Sequence, residues 1–209
     1  QFRDDVDHPL YKMTFAGVLA QSSNIGTIQA AEMIGKEKQY EYLKKFGMGS
    51  STGLGLPSEN RGEVPPLEKW RDLTFPNVAY GQGYSANAIQ MTSVFSTIAN
   101  KGVRVTPRII DSKIDPDGTV ERLPEGPTTR VVSEETTKKL MPMLEQVVLE
   151  RGTAQDVAAI KGYRVAGKTG TAQLYNPKAN GGKGGYSGYV ASFIGLAPAD
   201  DPQLVVAVI

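Results

Sequence analysis

Apolar positions in the first part of the chain recur at three- and four-residue spacing, the period of a helix with one buried face. Leu10 to Gln21 carries this pattern, which breaks at Ser22-Ser23-Asn24. It resumes from Ile25 to Ile34 and stops at Gly35. Tyr40, Leu43 and Phe46 mark another helix, closed by Gly47, since glycine accepts the left-handed cap at little cost. The Gly, Ser and Pro content of 49–66 predicts a long surface loop, and 70–83 predicts a second. Asn87 is a good cap for the most apolar helix, through Ile89, Met91, Val94, Phe95 and Ile98 and ending at Gly102.

Beyond Gly102 the pattern changes. Val103 to Ile114 reads as extended, and Asp115-Pro116-Asp117-Gly118 as a turn into a short return strand. Ser133, followed by Glu134 and Glu135, caps a helix expected to reach Glu150, with a kink at Pro142. Tyr163 to Gln173 reads as a strand, and Asn176 to Gly188 as a Gly-rich, mobile loop. Gly188 to Leu196 and Gln203 to Ile209 form a strand pair around Pro198-Ala199-Asp200-Asp201-Pro202. Leu204 to Ile209 is continuously apolar, which predicts a buried strand. Natural termini are seldom buried strands, so the chain is expected to be a piece of a larger protein. Helices first and an antiparallel sheet last give an α+β class, with 1–209 as one domain.

Composition narrows the function. The 209 residues suffice for a substantial core, and 40% hydrophobic with 22% charged is ordinary for a globular protein. The net charge is +1 with Lys and Arg scattered, which argues against nucleic acid as a partner. No apolar run reaches membrane-spanning length, so a membrane role would need an anchor upstream. Without cysteine there is no disulfide, thiolate nucleophile or sulfur-ligated metal. The single histidine, His8, sits before Pro9 among Asp4, Asp5 and Asp7 and reads as a solvated turn residue. A histidine-based triad or multi-histidine zinc site is therefore not expected, and a nucleophile would need another base, usually lysine.

Two short motifs carry candidate chemistry. In Gly167-Lys168-Thr169-Gly170-Thr171 a lysine supplies fixed charge on a strand. Thr169 and Thr171, two apart, point to one face and offer two hydroxyls to a carboxylate. Gly170 lacks a side chain, so an extended peptide has room against the strand edge. The bland alternative is an edge strand with Thr chosen for propensity and Lys for solubility. Gly162 to Thr169 also fits the spacing of a phosphate-binding loop. That loop needs a strand before its first glycine and a helix after its Lys-Thr, and neither is predicted here. Ser22-Ser23-Asn24 places a hydroxyl and a carboxamide two apart at a helix break; an ordinary helix N-cap favours the same residue types.

Taken together, Ser-x-Asn followed far downstream by Lys-Thr-Gly has the order found in penicillin-recognising enzymes. The chain resembles the transpeptidase domain of class B penicillin-binding proteins, most of all the cell-division type. The likeness extends to Leu56-Pro57-Ser58-Glu59-Asn60-Arg61-Gly62, Tyr80-Gly81-Gln82-Gly83, Lys161 to Ala172, Ser192 to Pro198 and Gln203 to Ile209. It implies the penicillin-binding and serine β-lactamase-like fold, incomplete at both ends. The activity it implies is D,D-transpeptidation of peptidoglycan stem peptides ending in D-Ala-D-Ala, with acylation by β-lactams. By motif, Ser22 would relay a proton to the leaving amine, Asn24 would hold the substrate amide, and Lys168 would supply charge beside Ser22. Thr169 and Thr171 would bind the terminal carboxylate, and the Thr171 amide would give half of an oxyanion hole. No cofactor or metal is implied. An upstream membrane anchor, an extracytoplasmic location and division-protein partners are.

The family's nucleophile belongs to a Ser-x-x-Lys motif, and no serine here is followed three residues later by lysine. The nearest approach is Thr136-Thr137-Lys138-Lys139, which follows the Ser-x-Asn motif when it should precede it. The nucleophile is expected upstream of Gln1. Two alternatives stand beside this reading. One is the same fold used as an inactive binding or scaffolding module. The other is a β-lactamase-like hydrolase, which would need a water-activating acid such as Glu59 or Glu63.

Overall fold

Thr14 opens the first helix by accepting the Gly17 amide on its hydroxyl at 3.2 Å, and α1 runs from Phe15 to Ala20. The computed structural model describes residues 2–5, 12–178, 181 and 183–209. His8 and the first residues of the helix predicted from Leu10 lie outside them. Next come α2 (Asn24–Ile34) and α3 (Lys36–Lys45), joined at Gly35, whose φ of 81° suits glycine. Gly26 lets α2 pack on α1: a Cβ there would lie 2.6 Å from Val18 Cγ2.

The loop predicted over 49–66 has no helix or longer strand and meets the rest through an isolated bridge between Glu63 and Ser85. The loop predicted over 70–83 is not one throughout, because α4 spans Thr74–Ala79. Pro76 lies in its first turn, where its missing N–H would have had no helical partner. Trp70 is buried with Met48, Val64 and Val78, and its indole donates to the Pro65 carbonyl at 2.9 Å.

The apolar helix α5 spans Ala88–Ala99 behind a capping box in which Asn87 and Gln90 bond each other's backbone amides. The extended stretch after it breaks around Pro107 into β1 (Val103–Val105) and β2 (Ser112–Ile114). These pair antiparallel with β4 (Thr128–Arg130) and β3 (Val120–Arg122) respectively. Ser133 caps α6, Glu134–Glu145, by accepting the Thr136 amide at 3.1 Å. This helix stops short of the predicted Glu150. Val147 and Val148 instead turn inward against Ala154, ahead of a short α7 (Gln155–Ala158).

The chain ends in an antiparallel sheet of order β5-β6-β7: Ala166–Asn176, Gly185–Ala197 and Leu204–Val208. The first strand starts three residues later than its aromatic and branched residues predict. Residues 185–188, predicted as loop, belong to β6. Phe95 and Ile98 of α5, Met141 and Leu144 of α6, and Ala166, Ile194 and Leu196 of the sheet form the main core. Within this chain β7 turns Val205 and Ala207 onto the core, while Leu204, Val206 and Val208 are 64%, 57% and 61% exposed. An unbroken apolar run hides this alternation, because strand residues face opposite sides whatever their chemistry.

Candidate active site

The two motifs converge. Lys168 Nζ donates to Ser22 Oγ at 2.7 Å across 146 positions of sequence. The same ammonium donates to the Thr169 carbonyl at 3.1 Å and lies 3.4 Å from Thr169 Oγ1. No carboxylate among the described residues pairs with Lys168, and burial pushes its ammonium down to about 8 from the ordinary 10.5.

Local structure explains how Ser22 comes to face this lysine. The turn after α1 puts Ser22 in the left-handed region, φ 55°, uncommon for a residue with a side chain. Its neighbour does the capping. Ser23 is buried, accepts the Gly26 amide at 3.0 Å and donates to Asp4 Oδ2 at 2.9 Å. The N-cap alternative and the cleft-facing alternative thus fall to two different serines. Asp4 Oδ1 also accepts the Ile25 amide at 3.0 Å, so a carboxylate sits at the N-terminus of α2, where the helix dipole favours it. Asn24 is the first residue of α2, and its carboxamide nitrogen donates to the Arg3 carbonyl at 3.2 Å. No hydrogen bond joins Asn24 to Ser22, Lys168 or Thr169 among the described residues.

Lys168, Thr169, Gly170 and Thr171 lie in the first half of β5, Thr169 half-buried and Thr171 exposed. The edge of β5 opposite β6 pairs with no strand among the described residues, so its backbone groups have no ladder partner on that side. Small residues are needed here for reasons the sequence did not show. A Cβ on Gly170 would sit 2.7 Å from Ser192 Oγ, which itself donates to the Gly170 carbonyl at 3.3 Å. One on Gly167 would sit 2.5 Å from Phe193 Cζ. The bare faces of these glycines are thus occupied by β6.

The segment entering β5 is clamped by a two-pronged ion pair. Arg164 Nε and Nη2 donate to Glu145 Oε1 and Oε2 at 2.9 and 2.8 Å, fixing the end of α6 to the approach of the Lys168 strand. This arrangement excludes the phosphate-loop spacing of Gly162 to Thr169 as such a loop. Lys168 and Thr169 are in mid-strand, with the strand continuing to Asn176 where a helix would have to start. Glu59, the acid weighed for a hydrolase, accepts from Ser51 Oγ at 2.7 Å, the Thr52 amide at 2.9 Å and Asn87 at 3.3 Å. The Ser51 hydroxyl foremost, then Thr52, hold its carboxyl at about 2, which makes it a weak base. Thr136 and Lys139 serve α6, one beside its cap and the other in an ion pair with Glu135 at 2.7 Å.

Sequence reasoning missed Asp4 and Thr153. Thr153 donates its amide to the Ala20 carbonyl at 3.0 Å, and its hydroxyl lies 2.7 Å from Thr169 Oγ1. No spacing signal pointed to either.

A Ser-x-Asn turn facing a Lys-Thr-Gly strand, packed against an α+β core, defines the class of penicillin-recognising proteins. The chain belongs to the penicillin-binding protein transpeptidase domain family, whose model matches residues 2–209. It is 45% identical to the penicillin-binding protein PbpB of Mycolicibacterium smegmatis, over 99% of this chain and 32% of that protein. Identity to the peptidoglycan D,D-transpeptidase FtsI of Escherichia coli is 33%, over 95% of this chain and 31% of that protein. The crystal structure of penicillin-binding protein 3 of Mycobacterium tuberculosis complexed with aztreonam superposes with a TM-score of 0.92 at 42% identity. It is covered over 46% of its length by 98% of this chain. The chain spans about a third of the length of the curated relatives it matches.

Proposed function

We propose that this chain is the substrate-gripping part of a D,D-transpeptidase that cross-links peptidoglycan stem peptides, in septal wall synthesis, and that β-lactams acylate. The observation that carries this reading is the 2.7 Å contact between Lys168 Nζ and Ser22 Oγ, which brings the two motifs together. The alternative of an inactive binding module keeps the same fold but has no use for a desolvated lysine beside a free hydroxyl.

The stem peptide lies along the open edge of β5 as an added strand. Its terminal carboxylate is held by the Thr169 and Thr171 hydroxyls and attracted by Lys168. A serine of a Ser-x-x-Lys motif upstream of Gln1 gives its proton to that motif's lysine and attacks the penultimate D-alanine carbonyl carbon. The Thr171 amide donates to the developing oxyanion, an interaction worth roughly a hundredfold in rate. Ser22 passes a proton to the departing D-alanine nitrogen as its bond to carbon breaks, and Lys168 holds the Ser22 oxygen in place. Asn24 turns its carboxamide to the substrate amide. An amine of a neighbouring stem peptide then attacks the acyl carbon and releases the serine. The division-type relatives support a place on the outer face of the cell membrane beside division proteins.

The test is covalent labelling. The intact gene product is incubated with a fluorescent penicillin, denatured and resolved on a gel. Label retained after denaturation, and lost on Lys168→Met, supports acyl transfer. A folded, unlabelled gene product sinks it and puts the binding module first.

A further inference from the structure

Thr153 touches both halves of the site without belonging to either motif. Its amide donates to the carbonyl of Ala20, two residues before Ser22, and its hydroxyl meets that of Thr169. Its position is set by packing on each side. Ala154 is fully buried and donates its amide to the Val147 carbonyl at 2.8 Å. Gly152 runs so close to the carbonyls of Gln146 and Val147 that any Cβ there would collide with them.

Counting protons gives the contact a direction. Thr169 has one hydroxyl proton, and its oxygen already lies 3.4 Å from Lys168 Nζ, which can only donate. If Thr169 gave its proton to Thr153, it would have none for a ligand. If Thr153 is the donor, Thr169 receives from two sides and points its own proton outward. We infer that Thr153 is a positioning residue that orients the Thr169 hydroxyl as a donor to the carboxylate of the bound peptide or β-lactam. Hydrogen bonds in series polarise one another, so the outward donor is also strengthened. This inference rests on the acyl-transfer reading above. It adds a residue that acts only on ligands carrying a free carboxylate.

The experiment uses that dependence on the ligand. In the intact gene product, acylation rates by a penicillin and by its methyl ester are measured for wild type, Thr153→Val and Thr153→Ser. The valine variant keeps the shape and loses the donor; the serine variant keeps the donor. Thr153→Val is expected to slow acylation by the free acid about tenfold and to leave the ester rate unchanged. Thr153→Ser is expected within about twofold of wild type on both ligands. Equal slowing of acid and ester in both variants would mark a structural role and overturn the inference, as would an unaltered acid rate in Thr153→Val. A wild-type protein that takes no label overturns the acyl-transfer reading, and this inference with it.

Discussion

Asp4 accepts the hydroxyl proton of Ser23 across 2.9 Å, and this bond ties the N-terminal segment to the turn that presents Ser22. The same carboxylate accepts the Ile25 amide, so one side chain caps α2 and holds the serine that caps it too. Asp4→Asn keeps one acceptor but loses the charge at the helix N-terminus. It should lower stability by about 1 kcal/mol in chemical denaturation. Because the turn of Ser22 is in the left-handed region, penicillin labelling should slow as well. An unchanged denaturation midpoint would show that Asp4 does not hold this turn.

Lys168→Met separates stability from activity. The ammonium is desolvated and has hydroxyl and carbonyl partners but no acid among the described residues, so its charge is held at a cost. Below pH 8 the folded chain keeps the proton against burial. Between about 8 and the unfolded value of 10.5 the unfolded chain binds more protons, and stability rises with pH. The methionine variant should be more stable than wild type by about 1 kcal/mol at pH 7, with the gain shrinking toward pH 10. Its penicillin labelling should fall at least about a hundredfold. In wild type, acylation by a carboxylate-bearing ligand should decline above pH 8 as the charge is lost. A rate flat from pH 7 to 10 would remove Lys168 from the anion-binding role.

Gln90 is buried, and its side-chain nitrogen donates to the carbonyls of Ser50 at 2.7 Å and Arg61 at 2.8 Å. It thereby pins both limbs of the long loop to the start of α5. Gln90→Ala leaves those carbonyls without their partner and breaks the capping box. We expect a loss of about 2–3 kcal/mol by urea denaturation. A loss below about 0.5 kcal/mol would mean that water replaces the amide.

The elements that sequence predicted well are those whose signal is local. Asn87 and Ser133 announce α5 and α6 because a cap acts within three residues. The 115–118 turn announces its hairpin for the same reason. The misreadings came where that signal was missing. The helix at 74–79 was hidden because six residues are too few for a helical period to show. The run at 204–209 announced a strand, but which of its residues meet this core was not legible, because alternation leaves no trace when every residue is apolar. In the site, Ser22 and Lys168 were legible through the order of two motifs, not through any pattern that reports their 2.7 Å contact. Ser23 was ambiguous until Asp4 was placed beside it. Thr153 was invisible, since a threonine in a turn is unremarked until another hydroxyl is found against it.

The open edge of β5 bears on how such a protein could come to tell its substrate from an inhibitor that mimics it. Donors and acceptors on that edge belong to the main chain, and replacing a side chain removes none of them, proline excepted. A β-lactam that borrows these main-chain groups keeps them whichever side chain of the site is lost. At this edge, discrimination comes from changes that tilt or slide the strand, and the places able to do so are behind it. Phe193 packed on Gly167, and Ser192 filling the face of Gly170, lie on β6 instead of on the ligand's side. Drug tolerance in this framework would be expected to arise at positions no drug touches.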